Sequence, residues 1–76
     1  MKKLWACVYM YGGIISNVKI FETRERAEAW FNTLLNGVGG IDACENYTNT
    51  ESCMWFCYPD DGRHPEEVTC SLVNVE

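Results

Sequence analysis

Two runs rich in β-branched and aromatic residues, Leu4 to Tyr11 and Ile14 to Phe21, flank the pair Gly12-Gly13. Such a pattern spells a hairpin, because a two-residue turn needs the positive φ angles that glycine adopts freely. Counting outward from the turn puts Trp5 opposite Ile20, Cys7 opposite Val18 and Tyr9 opposite Ser16, a nearly continuous apolar face. The alternate face then pairs Leu4 with Phe21, Ala6 with Lys19, Val8 with Asn17 and Met10 with Ile15. Lys19 and Asn17 assign that second face to solvent. Its remaining residues are more apolar than solvation calls for, so another chain is expected to cover it.

Beyond the hairpin the period changes from two to that of a helix. Thr23 is placed to cap a helix N-terminus, Glu25 follows where the helix dipole favours an acid, and Asn36-Gly37 supplies a stop. Between them Ala27, Trp30, Phe31, Leu34 and Leu35 form one apolar stripe, with Arg24, Arg26 and Glu28 elsewhere. Trp30 and Phe31 are expected to pack on the sheet. Gly37 to Glu51 reads as a long surface connection, with one helical turn over Ile41 to Glu45 and a polar, turn-prone stretch from Asn46 to Thr50. Ser52 to Tyr58 reads as a strand, Pro59-Asp60-Asp61-Gly62 as a turn, and Val68 to Val75 as the last strand. On that last strand Val68, Cys70 and Leu72 share one face. The order β-β-α-β-β predicts a single two-layer α+β domain over residues 1–76, a four-stranded antiparallel sheet with one helix packed on one face.

Charge divides the chain in two. Met1 to Ile41 carries five basic and three acidic residues, a balance of +2, whereas the segment from Asp42 onward sets eight acids against Arg63 alone, a balance of −7. An acidic surface of that kind repels nucleic acid and anionic membrane and draws in basic protein surfaces, including those that other proteins use for nucleic acid. Tyr9, Tyr11, Trp55, Phe56 and Tyr58 could stack bases, but little positive charge accompanies them to hold phosphates, so direct nucleic-acid binding is not expected. Interruption of the N-terminal apolar run by Tyr9, Gly12 and Gly13 fits neither a signal peptide nor a membrane span, so an intracellular protein is expected.

Five cysteines, Cys7, Cys44, Cys53, Cys57 and Cys70, are many for this length. Their odd number and the expected reducing compartment favour free thiols over a disulfide framework. Cys53, Cys57 and Cys70 with the single histidine, His64, offer zinc-binding chemistry. Along a strand, however, Cys53 and Cys57 would lie roughly 13 Å apart at ~3.3 Å per residue. No zinc ion with bonds of ~2.3 Å to sulfur spans that distance, so neither metal nor cofactor is expected. Catalysis is not expected either, because His64 follows a polar turn and no nucleophile, base and orienting group converge in the pattern.

The stretch Val8 to Leu35, with its hairpin Tyr11-Gly12-Gly13-Ile14-Ile15, its strand Val18-Lys19-Ile20-Phe21 and its helix opening Thr23-Arg24-Glu25-Arg26-Ala27-Glu28-Ala29, resembles many short phage and mobile-element proteins. Among these are compact acidic anti-CRISPR proteins and other inhibitors of host defence. The resemblance is one of architecture, and it implies a stoichiometric inhibitor that occludes a basic nucleic-acid channel without a cofactor. With the charge balance it nominates Asp42, Glu45, Glu51, Asp60, Asp61, Glu66 and Glu67 as partners for lysine and arginine on a target protein, with Tyr47 and Tyr58 as aromatic anchors. One alternative is a self-associating accessory protein that buries Leu4, Val8, Met10 or Phe21 between two copies. The other is a small zinc-binding domain built on Cys53, Cys57, His64 and Cys70.

Overall fold

The computed structural model describes residues 2–59 and 65–75. Its elements are β1 (Lys2–Tyr11), β2 (Ile14–Phe21), α1 (Arg24–Gly37), a 3-10 turn (Ile41–Ala43), β3 (Asn46–Asn49), β4 (Cys53–Tyr58) and β5 (Glu66–Val75). All strands join one sheet in the order β2-β1-β5-β4-β3, with every neighbouring pair antiparallel. The architecture is α+β, as the pattern predicts, but the sheet has five strands rather than four. The extra strand is β3, in the stretch whose polarity reads as a turn. Three of its four residues are Asn or Thr, which is tolerable on a sheet edge, and its backbone completes the ladder along β4 from Met54 to Cys57.

Gly12 and Gly13 take φ angles of 61° and 83°, so the hairpin turn forms where two glycines permit it. Next to the turn the register follows the count from the sequence, with Tyr11 opposite Ile14 and Met10 opposite Ile15. Ser16 then has no partner in the ladder, and beyond this bulge Tyr9 faces Asn17, Val8 faces Val18, Ala6 faces Ile20 and Trp5 faces Phe21. A slip of one residue moves every later side chain to the opposite face. Phe21 therefore joins Trp5 on the helix side, where its ring lies 6.2 Å from that of Trp30. Val18 and Ile20 turn instead to the face without a helix. Asn17 and Lys19, expected to mark the solvent face, lie on the helix side opposite Tyr9 and Cys7 and are exposed there.

Helix α1 begins as the sequence indicates. The Thr23 side chain accepts a hydrogen bond from the backbone N–H of Arg26, and Val38 closes the C-terminus. Arg24 ties this end of the helix to the far edge of the sheet. Its guanidinium donates to the carbonyls of Thr50 and Glu51 and to Oδ1 of Asn49, and it lies 5.4 Å from the centre of the Trp5 ring. Ala27, Phe31 and Leu35 then face the sheet, fully or almost fully buried with Trp5 and Cys7 of β1, Val68 and Cys70 of β5, and Met54 and Phe56 of β4. Phe31 is central: its ring meets Phe56 edge-on at 5.3 Å and approaches Tyr47 at 6.4 Å.

The helix spans about 21 Å at ~1.5 Å per residue, half the 42 Å long axis of the molecule. It covers only one face of the sheet. On the other face lie Leu4, Ala6, Val8 and Met10 of β1, Ile15, Val18 and Ile20 of β2, and Val73 and Val75 of β5. Trp55, Cys53 and Cys57 of β4 continue the same face, with Thr69 and Ser71 between them and β1.

Candidate protein-binding site

One end of the sheet gathers acidic side chains. There the β1–β2 turn, the start of β3, the end of β4 and the start of β5 lie in one row, since Met10 pairs with both Ile15 and Glu67, Glu67 pairs with Cys57, and Cys57 pairs with Asn46. Glu45 adjoins this row, its backbone N–H donating to the carbonyl of Cys57 at 2.8 Å. Glu66 and Glu67 point to opposite faces because they are neighbours on one strand. On the helix side the Tyr9 hydroxyl donates to Oε1 of Glu66, and on the open side the indole N–H of Trp55 donates to Oε2 of Glu67, both at 2.5 Å.

These contacts change the local chemistry. The Glu66 carboxylate holds the Tyr9 proton, and with burial and the negative charge nearby it pushes that phenol up to about 12. Burial raises the Cys57 thiol, and the charges of Glu67 and Glu45 raise it further. Cys57 is thus held as a protonated thiol beside two acids, a poor nucleophile. Cys7 and Cys70 face each other across β1 and β5 in the core, and burial is the main reason both thiols are raised.

Of the residues nominated from the sequence, Glu45, Glu66 and Glu67 come together at this end. Asp42 is exposed on the 3-10 turn and lines a separate groove with Asn36, Ile41 and Tyr47. Glu51 lies between β3 and β4 at the opposite end, in a groove with Lys3 and Arg24. Tyr47 and Tyr58 are half-buried on the helix side, where both pack against the core. Asp60, Asp61 and His64 lie outside the described residues. Cys53 and Cys57 share the open face of β4, whereas Cys70 points into the core from β5. Among the described residues no group of three or more His, Cys, Asp or Glu is placed to hold a metal ion.

Lys2 and Lys3 begin β1 at the far end of the sheet, and Arg24 and Arg26 begin α1 there, with Glu25, Glu28 and Glu51 around them; Lys19 lies mid-sheet opposite Cys7. No protein-family model, curated protein or solved structure matches the chain. Among the described residues no helix is long and apolar enough to cross a membrane.

Proposed function

We propose that the protein is a non-catalytic binding module whose acidic sheet end docks on a basic surface of another protein, in the manner of a stoichiometric anti-CRISPR-type inhibitor of a nucleic-acid-handling defence complex. The observation that carries this reading is the convergence of Glu45, Glu66 and Glu67 on one end of a rigid sheet, away from Lys2, Lys3 and Arg24. Carboxylates held by strands and by bonds from Tyr9 and Trp55 present charge at fixed spacing. A fixed array loses less side-chain freedom on binding than a flexible one. Charge complementarity of this kind steers encounter and selects the partner.

The test is competition. Purified CRISPR effector complexes are titrated with the protein while their binding to target DNA is followed. The expected result is loss of DNA binding at an equimolar ratio for a susceptible complex, weakening as salt is raised. Replacing Glu45, Asp60 and Asp61 together by lysine should abolish competition while leaving the bonds of Glu66 and Glu67, and the unfolding temperature, in place. Failure to displace DNA from any complex, or undiminished competition by the triple variant, overturns the reading.

A further inference from the structure

We propose that the open face of the sheet is a self-complementary interface on which a second copy of this chain stacks face to face, giving a two-fold sandwich with the helices outside. The inference rests on the apolar residues of the open face and shares one residue, Glu67, with the acidic end. It starts from β1, which alternates Trp5, Cys7 and Tyr9 toward the helix with Leu4, Ala6, Val8 and Met10 away from it. A strand apolar on both sides is the pattern of one buried on both sides. Its neighbour β2 sharpens the point: Ile15, Val18 and Ile20 are 60%, 53% and 58% exposed, and all three lie on the open face. Val73 of β5, 39% exposed, extends the patch across β1.

Area and charge both favour a second copy as the occupant. Each strand residue occupies ~16 Å² of sheet, from ~3.3 Å along the strand and ~4.8 Å between strands, so the five strands lay out about 600 Å² before side-chain corrugation. That approaches the about 800 Å² per partner of a standard stable interface. Lys2 lies at one end of the open face, paired with Val75, and Glu67 lies at the other, paired with Met10. A two-fold axis running across the strands lays β1 antiparallel over its copy and brings each Lys2 toward the other chain's Glu67. One surface thus supplies both halves of the charge pair, as a two-fold contact requires. Near the middle the facing residues are Ala6 and Ser71, small enough for sheets packed ~10 Å apart to approach closely.

Sedimentation equilibrium from low micromolar to millimolar concentration tests the proposal. A dimer is expected in the micromolar range. Val18→Glu and Ile20→Lys, at positions already half in solvent, should each weaken it on the order of 100-fold while circular dichroism stays unchanged. Lys2→Glu should weaken it several-fold at low salt, an effect that fades as salt is added. A wild-type monomer throughout the range, or a dimer indifferent to Val18→Glu, overturns the proposal. Hydrogen exchange separates stacking from edge pairing: dimer-dependent protection of the outward amides of β2 would mean that two β2 edges join instead, and would also overturn it. Unchanged association of Lys2→Glu would reject the antiparallel stacking.

Discussion

At Tyr9 a single hydrogen bond makes the fold sensitive to alkali. The phenol is the donor and the Glu66 carboxylate the acceptor, so the folded protein holds this proton more tightly than the unfolded chain, whose tyrosines titrate near 10. A raised pKa contributes stability that is complete below the unfolded value and is lost as pH climbs through the folded one. Stability is therefore expected to fall as pH rises from 10 to about 12. Glu66→Gln should move the Tyr9 titration, read by ultraviolet difference spectroscopy, back toward 10 and shrink that alkaline loss. A wild-type Tyr9 that titrates like a free tyrosine would show that the bond is absent in solution. None of this could be read from the chain, because Tyr9 and Glu66 lie 57 residues apart and meet only through the pairing of β1 with β5.

Among the elements, α1 is the one the sequence describes best, and the reason is local. A cap, an acid in the first turn and an apolar stripe all act within the helix itself, so Thr23, Glu25 and the series from Ala27 to Leu35 carry the information together. Phe31 is the largest side chain of α1 that is fully buried, its ring set against Phe56 and Tyr47. Phe31→Ala is expected to destabilise the domain by about 3–5 kcal/mol, measured by urea unfolding; a loss under about 1 kcal/mol would mean that the helix is held elsewhere. The shared face of Val68, Cys70 and Leu72 on β5 was also legible, because alternation along one strand needs no knowledge of its neighbours. What was hidden lies between strands. Asn46 to Asn49 becomes β3 only because β4 offers an edge to pair with, and its sole apolar residue, Tyr47, gives little sign of it. The nominated acids show the same division: the charge count groups them by sequence, but the register brings Glu45, Glu66 and Glu67 to one end of the sheet and leaves Asp42 and Glu51 apart.

For the molecule as a whole, the outward character of the open face rests on Ser16. An even count from Gly12-Gly13 would have placed Lys19 and Asn17 beside Ala6 and Val8; the bulge puts Ile20 and Val18 there instead. Stated as a matter of length, β2 carries one residue more than its ladder uses. A single-residue deletion in an ordinary strand turns the remainder inside out, but here the surplus is already absorbed. Removing Ser16 would leave Met10 opposite Ile15 and Tyr9 opposite Asn17, now in unbroken succession, with Phe21 still delivered to the helix side. The deletion variant is expected to fold and to keep the wild-type association, as thermal unfolding and sedimentation would show, with loss only of the extra local twist that a bulge imparts. Loss of folding would mean that this twist is itself needed to seat α1. The strand most exposed to solvent can thus be shortened by one residue, whereas an added residue would need a second bulge to keep the same faces.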